Sequence, residues 1–189
     1  MDWSKRQKEI IEAAISLIAQ NGIEGLTTKA LAAAVGVSEP ALYRHFSNKA
    51  EIVQAVIGCF DDDVENLKNT QRGWQFIKAF FAHRIEQVKT EPALANMIYS
   101  EELFIHNGDY AGFLKEMMHK HRNIIMENIV FAINTGVIRN DIAPEMIFRM
   151  LAGSLRLLIK QYGMSGNAFD LCTESTILFN TWDMLFKVK

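Results

Sequence analysis

Two cysteines, Cys59 and Cys172, are too few for a disulfide framework, and no C-x-x-C pair occurs, so a reducing compartment is expected. Three prolines and eleven glycines in 189 residues cannot punctuate the frequent turns of a β-sandwich or barrel. No stretch approaches the roughly 18–20 apolar residues of a membrane span. Asp2, Lys5, Arg6, Lys8, Glu9 and Glu12 interrupt every apolar run at the start, so no leader segment is read there. These absences predict a soluble, cytoplasmic protein with no membrane partner. Neither sign of charge dominates: the net charge is −2, and residues 1–49 carry only +1. Charge balance alone therefore does not mark a nucleic-acid binder; placement must. Catalytic motifs are missing. There is no His-Glu-x-x-His and no phosphate-cradling glycine loop, and Gly163-Met164-Ser165-Gly166 is not a Gly-x-Ser-x-Gly elbow. No enzyme is expected. His119 and His121, two apart on a helix, point about 200° apart and cannot share an ion, so neither metal nor cofactor is expected.

What the chain has is helical periodicity. With 49% apolar residues it can bury a sizeable core. Ile10, Ile11, Ala14, Ile15, Leu17 and Ile18 form the apolar stripe of a first helix from about Ser4 to Gln20, closed by Asn21-Gly22. Thr27 is placed to cap a two-turn helix through Val35, which Gly36 stops. Ser38 caps a third from Glu39 to about Phe46, with Pro40 in its first turn. Ser47 caps a fourth, running to about Leu67. Longer helices are predicted over 73–90, 93–104, 109–134, 144–162 and 169–187. The class is all-α, with about nine helices.

The informative stretch runs from Thr27 to Phe46. Two short helices that cross closely need a small residue at the crossing, Ala32. Four residues later the turn needs one free to take positive φ, Gly36. Val37 and Leu42 then face inward. Such a helix-turn-helix holds its second helix so that the outer face, with Glu39, Ala41, Tyr43, Arg44 and His45, can enter a DNA major groove. Thr28, Lys29, Ser38, Tyr43, His45 and Lys49 flank that face and suit phosphates. Glu39 is the unusual member. Its carboxylate either serves the helix dipole, which is favoured, or accepts from cytosine N4.

The run from Leu26 to Lys49, with Gly36-Val37-Ser38, then Leu42-Tyr43-Arg44-His45-Phe46 and Lys49, strongly resembles the DNA-binding domain of the TetR family of bacterial transcriptional regulators. The resemblance covers about residues 8–55. It implies an N-terminal three-helix domain (1–47), a linking helix (48–67) and a divergent ligand-binding and dimerisation domain (68–189). It also implies that Tyr43, His45 and Lys49 contact phosphates, and that Thr28, Lys29, Glu39, Pro40 and Ala41 lie closest to the bases. The function implied is a homodimeric repressor, released from a pseudo-palindromic double-stranded operator by a small apolar effector.

Beyond residue 68 the sequence offers a candidate pocket and a candidate dimer face. Phe80, Met97, Phe104, Met117, His121 and Met150 are apolar or aromatic groups interleaved with polar ones, the usual lining of a ligand site. Leu151, Leu155 and Leu158 on one late helix, with Ile177, Leu178, Trp182 and Leu185 on the other, make an apolar pair suited to a four-helix bundle across a two-fold axis. Cys59 and Cys172 are either redox sensors or inert thiols, the commoner case for unpaired cysteines on apolar sides of helices. Two rival readings stand beside this one: a regulator of the same fold gated by a protein partner or by no ligand, and a helical ligand-binding protein that never touches DNA.

Overall fold

The computed structural model describes residues 3–59, 64–92 and 111–188. The fold is all-α, and the described residues form nine α-helices: α1 Lys5–Asn21, α2 Thr28–Val35, α3 Glu39–Leu42, α4 Lys49–Cys59, α5 Val64–Thr70, α6 Gly73–Thr90, α7 Ala111–Asn134, α8 Pro144–Met164 and α9 Leu171–Phe186. One isolated antiparallel bridge pairs Ile138 with Lys187. The predicted helix over 93–104 lies outside the described residues, as do residues 60–63 of the predicted fourth helix. None of the described helices is long and apolar enough to cross a membrane.

Two compact units emerge, one within Met1–Asp62 and Glu91–Glu116, the other within Asp63–Thr90 and Met117–Lys189.

In the first unit α1 is the central element. Its start is fixed by a reciprocal capping box, in which Ser4 accepts from the Gln7 amide while the Gln7 side chain accepts from the Ser4 amide. The stripe Ile10, Ile11, Ala14, Ile15 and Ile18 is buried, as are Leu26, Leu31, Ala32, Leu42, Phe46, Ile52, Val53 and Val56, and α1 packs against α2 and α4. Helix α4 is capped by Asn48, whose Oδ1 accepts from the Glu51 amide at 2.9 Å. Ser47 is one residue too early for the cap expected of it; its own amide donates to the Glu51 carboxylate.

The second unit is a bundle of α5, α6, α8, α9 and α7 from residue 117 onward. Helix α6 buries Trp74, Ile77, Phe80, Phe81, Ile85 and Val88. Helix α8 buries Ile147, Leu151, Leu155 and Ile159, the i, i+4 stripe of a core-facing helix. Asp183 on α9 ties the bundle together: it accepts from Trp74 Nε1 at 2.6 Å, Lys78 Nζ at 2.9 Å and Lys187 Nζ at 3.0 Å. Burial works against its charge. The hydrogen bonds from Trp74, Lys78 and Lys187 outweigh that and hold the carboxyl below its ordinary pKa. Because the folded pKa is the lower one, this stabilisation is complete above the ordinary carboxylate range and is lost as pH falls through the folded value. Asp183→Asn is therefore expected to lower unfolding stability by about 1–3 kcal/mol at neutral pH. In urea titrations the gap from the parent should close as the pH is lowered below the carboxylate range. A gap independent of pH would show that the charge contributes nothing.

Candidate nucleic-acid interface

The residues predicted to face DNA are placed by a turn that only glycine takes readily. Gly36 has φ 72° and ψ 37°, the left-handed region, and the Val37 amide returns to the Ala32 carbonyl at 2.9 Å. Thr27 caps α2 by accepting from the Ala30 amide at 3.1 Å. Ser38 accepts from the Ala41 amide at the start of α3. Leu42 is fully buried, which turns the other side of the segment outward.

The predicted third helix is shorter than its sequence suggests. It is α-helical only to Leu42. The amides of Arg44 and His45 then bond three residues back, to Ala41 and Leu42, tightening the last turn before Phe46. Tyr43, Arg44 and His45 consequently sit on that turn rather than on a helix body. Tyr43 is 43% exposed, Arg44 is exposed and His45 half-buried. Lys29, Ser38, Glu39 and Pro40 are exposed as well, while Thr28, Ala41 and Lys49 are half-buried.

Two residues that the sequence reading missed hold this arrangement. Arg6 and Gln7, adjacent on α1, reach the C-terminal ends of the two reading elements. Arg6 Nη2 donates to the Val35 carbonyl at 3.3 Å, at the end of α2. Gln7 Nε2 donates to the His45 carbonyl at 3.2 Å, at the end of the α3 turn. Helix termini leave carbonyls without intrahelical partners, and α1 supplies donors to both. The contacts span 29 and 38 residues, so no local pattern signals them. A third feature is a bond between Thr28 and Glu39: Thr28 Oγ1 donates to Glu39 Oε2 at 2.9 Å, joining the first residues of α2 and α3.

The pocket residues divide. Phe80 and His121 meet edge to face with ring centroids 5.3 Å apart, and Met117, one turn before His121 on α7, is buried too. Met150 is 41% exposed on α8, where its neighbour Leu151 takes the core position. Met97 and Phe104 lie outside the described residues. Arg84 joins Phe80 and His121 unforeseen: it is buried, its guanidinium 4.7 Å over the Phe80 ring and 3.5 Å from His121 Nε2. The signal was present, since Arg84 interrupts the stripe Ile77-Phe80-Phe81-Ile85-Val88 at a position helical periodicity turns inward. A separate open groove of about 360 Å³, edged by Gln75, Lys78, Phe179 and Asn180, contains none of the predicted pocket residues. His119 is exposed and His121 buried, on different sides of α7.

The dimer-face residues divide likewise. Leu151, Leu155 and Trp182 are buried within the chain's own bundle, and Trp182 Nε1 donates to Ser154 Oγ at 3.2 Å. They are core, because their i, i+4 stripe faces neighbouring helices of the same unit. Leu158 and Leu178 are half-buried, while Ile177 and Leu185 are exposed. The outward apolar set also includes Met146, Met150, Leu157 and Met184.

Residues 10–56 match the family described as bacterial regulatory proteins, tetR family. Over 169 residues the chain is 22% identical to the HTH-type transcriptional repressor KstR2 of Rhodococcus jostii (strain RHA1), covering 87% of this chain and 83% of that protein. Among solved structures, the transcriptional regulator FadR from Bacillus subtilis in complex with stearoyl-CoA superposes with a TM-score of 0.79 at 20% identity, covering 93% of this chain and 96% of that one. AibR in complex with isovaleryl coenzyme A and operator DNA does so at 0.67 and 21%, covering 82% and 86%. At these identities the structural likeness establishes a shared fold.

Proposed function

Because the chain belongs to the tetR family of bacterial regulatory proteins through residues 10–56, we propose that it is a homodimeric repressor whose Glu39–Phe46 segment reads the major groove of a pseudo-palindromic operator and which a small apolar effector releases. The observation that carries this is the exposed face of Lys29, Tyr43 and Arg44 around the left-handed Gly36 turn, clamped from behind by Arg6 and Gln7. Lys49, with Tyr43 and His45, is assigned to backbone phosphates; Pro40 and Ala41 are assigned to the neighbourhood of the bases. A single turn of helix reads few base pairs, so two copies are needed, with half-sites about 34–36 Å apart. The outward side chains Met146, Leu157, Ile177 and Met184 offer the apolar face for the second copy.

The effector works as a coupling free energy. It must favour the DNA-incompetent state by about 1–3 kcal/mol, and no more than its difference in affinity for the two states. The buried rings of Phe76, Phe80 and Phe81 support an apolar group in the effector, and the stearoyl-CoA and isovaleryl coenzyme A complexes of the two structural neighbours support the acyl chain of a coenzyme A thioester as that group, the coenzyme A itself being charged.

The test is binding to the duplex upstream of the chain's own coding region across a salt series, with and without acyl-CoA esters of graded length. Tight binding that one ester releases is the expected result. Lys49→Ala should lower affinity for every duplex and reduce the slope of log K against log salt by about 0.9, the share of one phosphate. An unchanged slope would remove Lys49 from the interface.

A further inference from the structure

Resting on the DNA-binding reading, the Thr28–Glu39 hydrogen bond carries a conclusion about which base is read. A carboxylate that served the α3 dipole alone would need only its place at the helix start. Here a second helix supplies a donor that fixes its orientation, Thr28 Oγ1 to Glu39 Oε2 at 2.9 Å. Two consequences follow from the chemistry of the groups. First, a hydroxyl has one proton, and Thr28 gives it to Glu39, so Thr28 positions the carboxylate instead of donating to a phosphate. Second, an ionised carboxylate only accepts. On a surface that meets a polyanion it is unfavourable unless it finds a donor. In the major groove the base-edge donors are the amino groups of cytosine N4 and adenine N6, while guanine and the thymine oxygen offer acceptors there. Glu39 is exposed, in the first turn of the reading segment, and so is free to approach a base edge.

We infer that Glu39 is a specificity-determining residue that accepts from cytosine N4 at one position of each half-site, with Thr28 as its positioning residue. The favoured sequence-level role, service to the helix dipole, is thereby secondary.

The experiment is selection of duplexes from a randomised pool by the full chain and by Glu39→Gln, Thr28→Val and Thr28→Ser. The parent should enrich cytosine at one half-site position, and replacing that cytosine by thymine should weaken its binding about 5- to 100-fold. Glu39→Gln should lose that preference, or move it to adenine, with the other positions unchanged. Thr28→Val should blunt the preference and Thr28→Ser restore it, an outcome that a merely structural Thr28 would not give. If Glu39→Gln enriches the same sites and binds all of them tighter by one factor, the carboxylate contributes charge alone and the inference fails. A parent that enriches adenine or an acceptor-only base at the affected position overturns the cytosine assignment. Enrichment of no sequence by any of the four proteins overturns the DNA-binding reading itself, which separates that failure from this one.

Discussion

Phe46→Ala is expected to destabilise the first unit by about 3–5 kcal/mol and to abolish duplex binding with it. The ring is 1% exposed, its centroid 5.8 Å from that of Trp3, and its amide closes the turn by bonding to the Leu42 carbonyl. Truncation would open a cavity beneath the stretch that carries Tyr43, Arg44 and His45, because Leu42 and Phe46 are the two anchors between which those residues turn outward. A domain of ordinary stability has about 5–15 kcal/mol in total, so the loss is a large share. Urea unfolding measures it directly. Tyr43→Ala makes the comparison informative, since an exposed side chain should change stability by no more than about 0.5 kcal/mol. Loss of binding without loss of stability in Tyr43→Ala, and of both in Phe46→Ala, would divide the contact residue from its support. A cost under about 1 kcal/mol for Phe46→Ala would contradict the burial of the ring.

The second large effect is expected at Gly73→Ala, in the other unit. Gly73 opens α6 with φ +62°, and a methyl group there would stand 2.9 Å from Phe131 Cδ1. Its amide donates to Asn128 Oδ1 at 2.7 Å, and the Phe131 ring is covered on another side by the Arg72 guanidinium, 4.0 Å from its centroid. The ring therefore has little room to retreat. Left-handed backbone costs an alanine about 1–2 kcal/mol, and the overlap adds about 1–3 kcal/mol. Thermal unfolding should show the combined loss. If Gly73→Ala melts like the parent, the close approach of α6 to α7 is looser than described.

Both sites illustrate what a sequence displays and what it conceals. Phe46 was readable as core, because Leu42 and Phe46 recur at helical spacing and Gly36 marks the turn before them. The caps at Thr27 and Ser38 were readable for the same reason: capping is a contact across three residues. Gly73 could be seen as a helix boundary, but part of its demand for glycine arises from Phe131, 58 positions away. Arg6, Gln7 and the Thr28–Glu39 bond belong to this second kind, being set by how helices cross. The late helices show a further limit. Leu151 and Met150 are equally apolar neighbours, and periodicity alone does not tell which stripe of a helix apolar on several sides faces its own bundle. Acid at Asp183 was likewise silent in the sequence, since its three donors come from residues 74, 78 and 187.

The placement of the tryptophans has an optical consequence. Of the three, Trp3 lies in the first unit, half-buried against Phe46, whereas Trp74 and Trp182 lie in the second, buried with their indole N–H groups held by Asp183 and Ser154. A partly hydrated indole emits to the red of an enclosed one. The intact chain thus carries a red-side reporter of its reading head and a blue-side reporter of its bundle. Melting followed at the two edges of the emission band would trace the two units separately, with no label added.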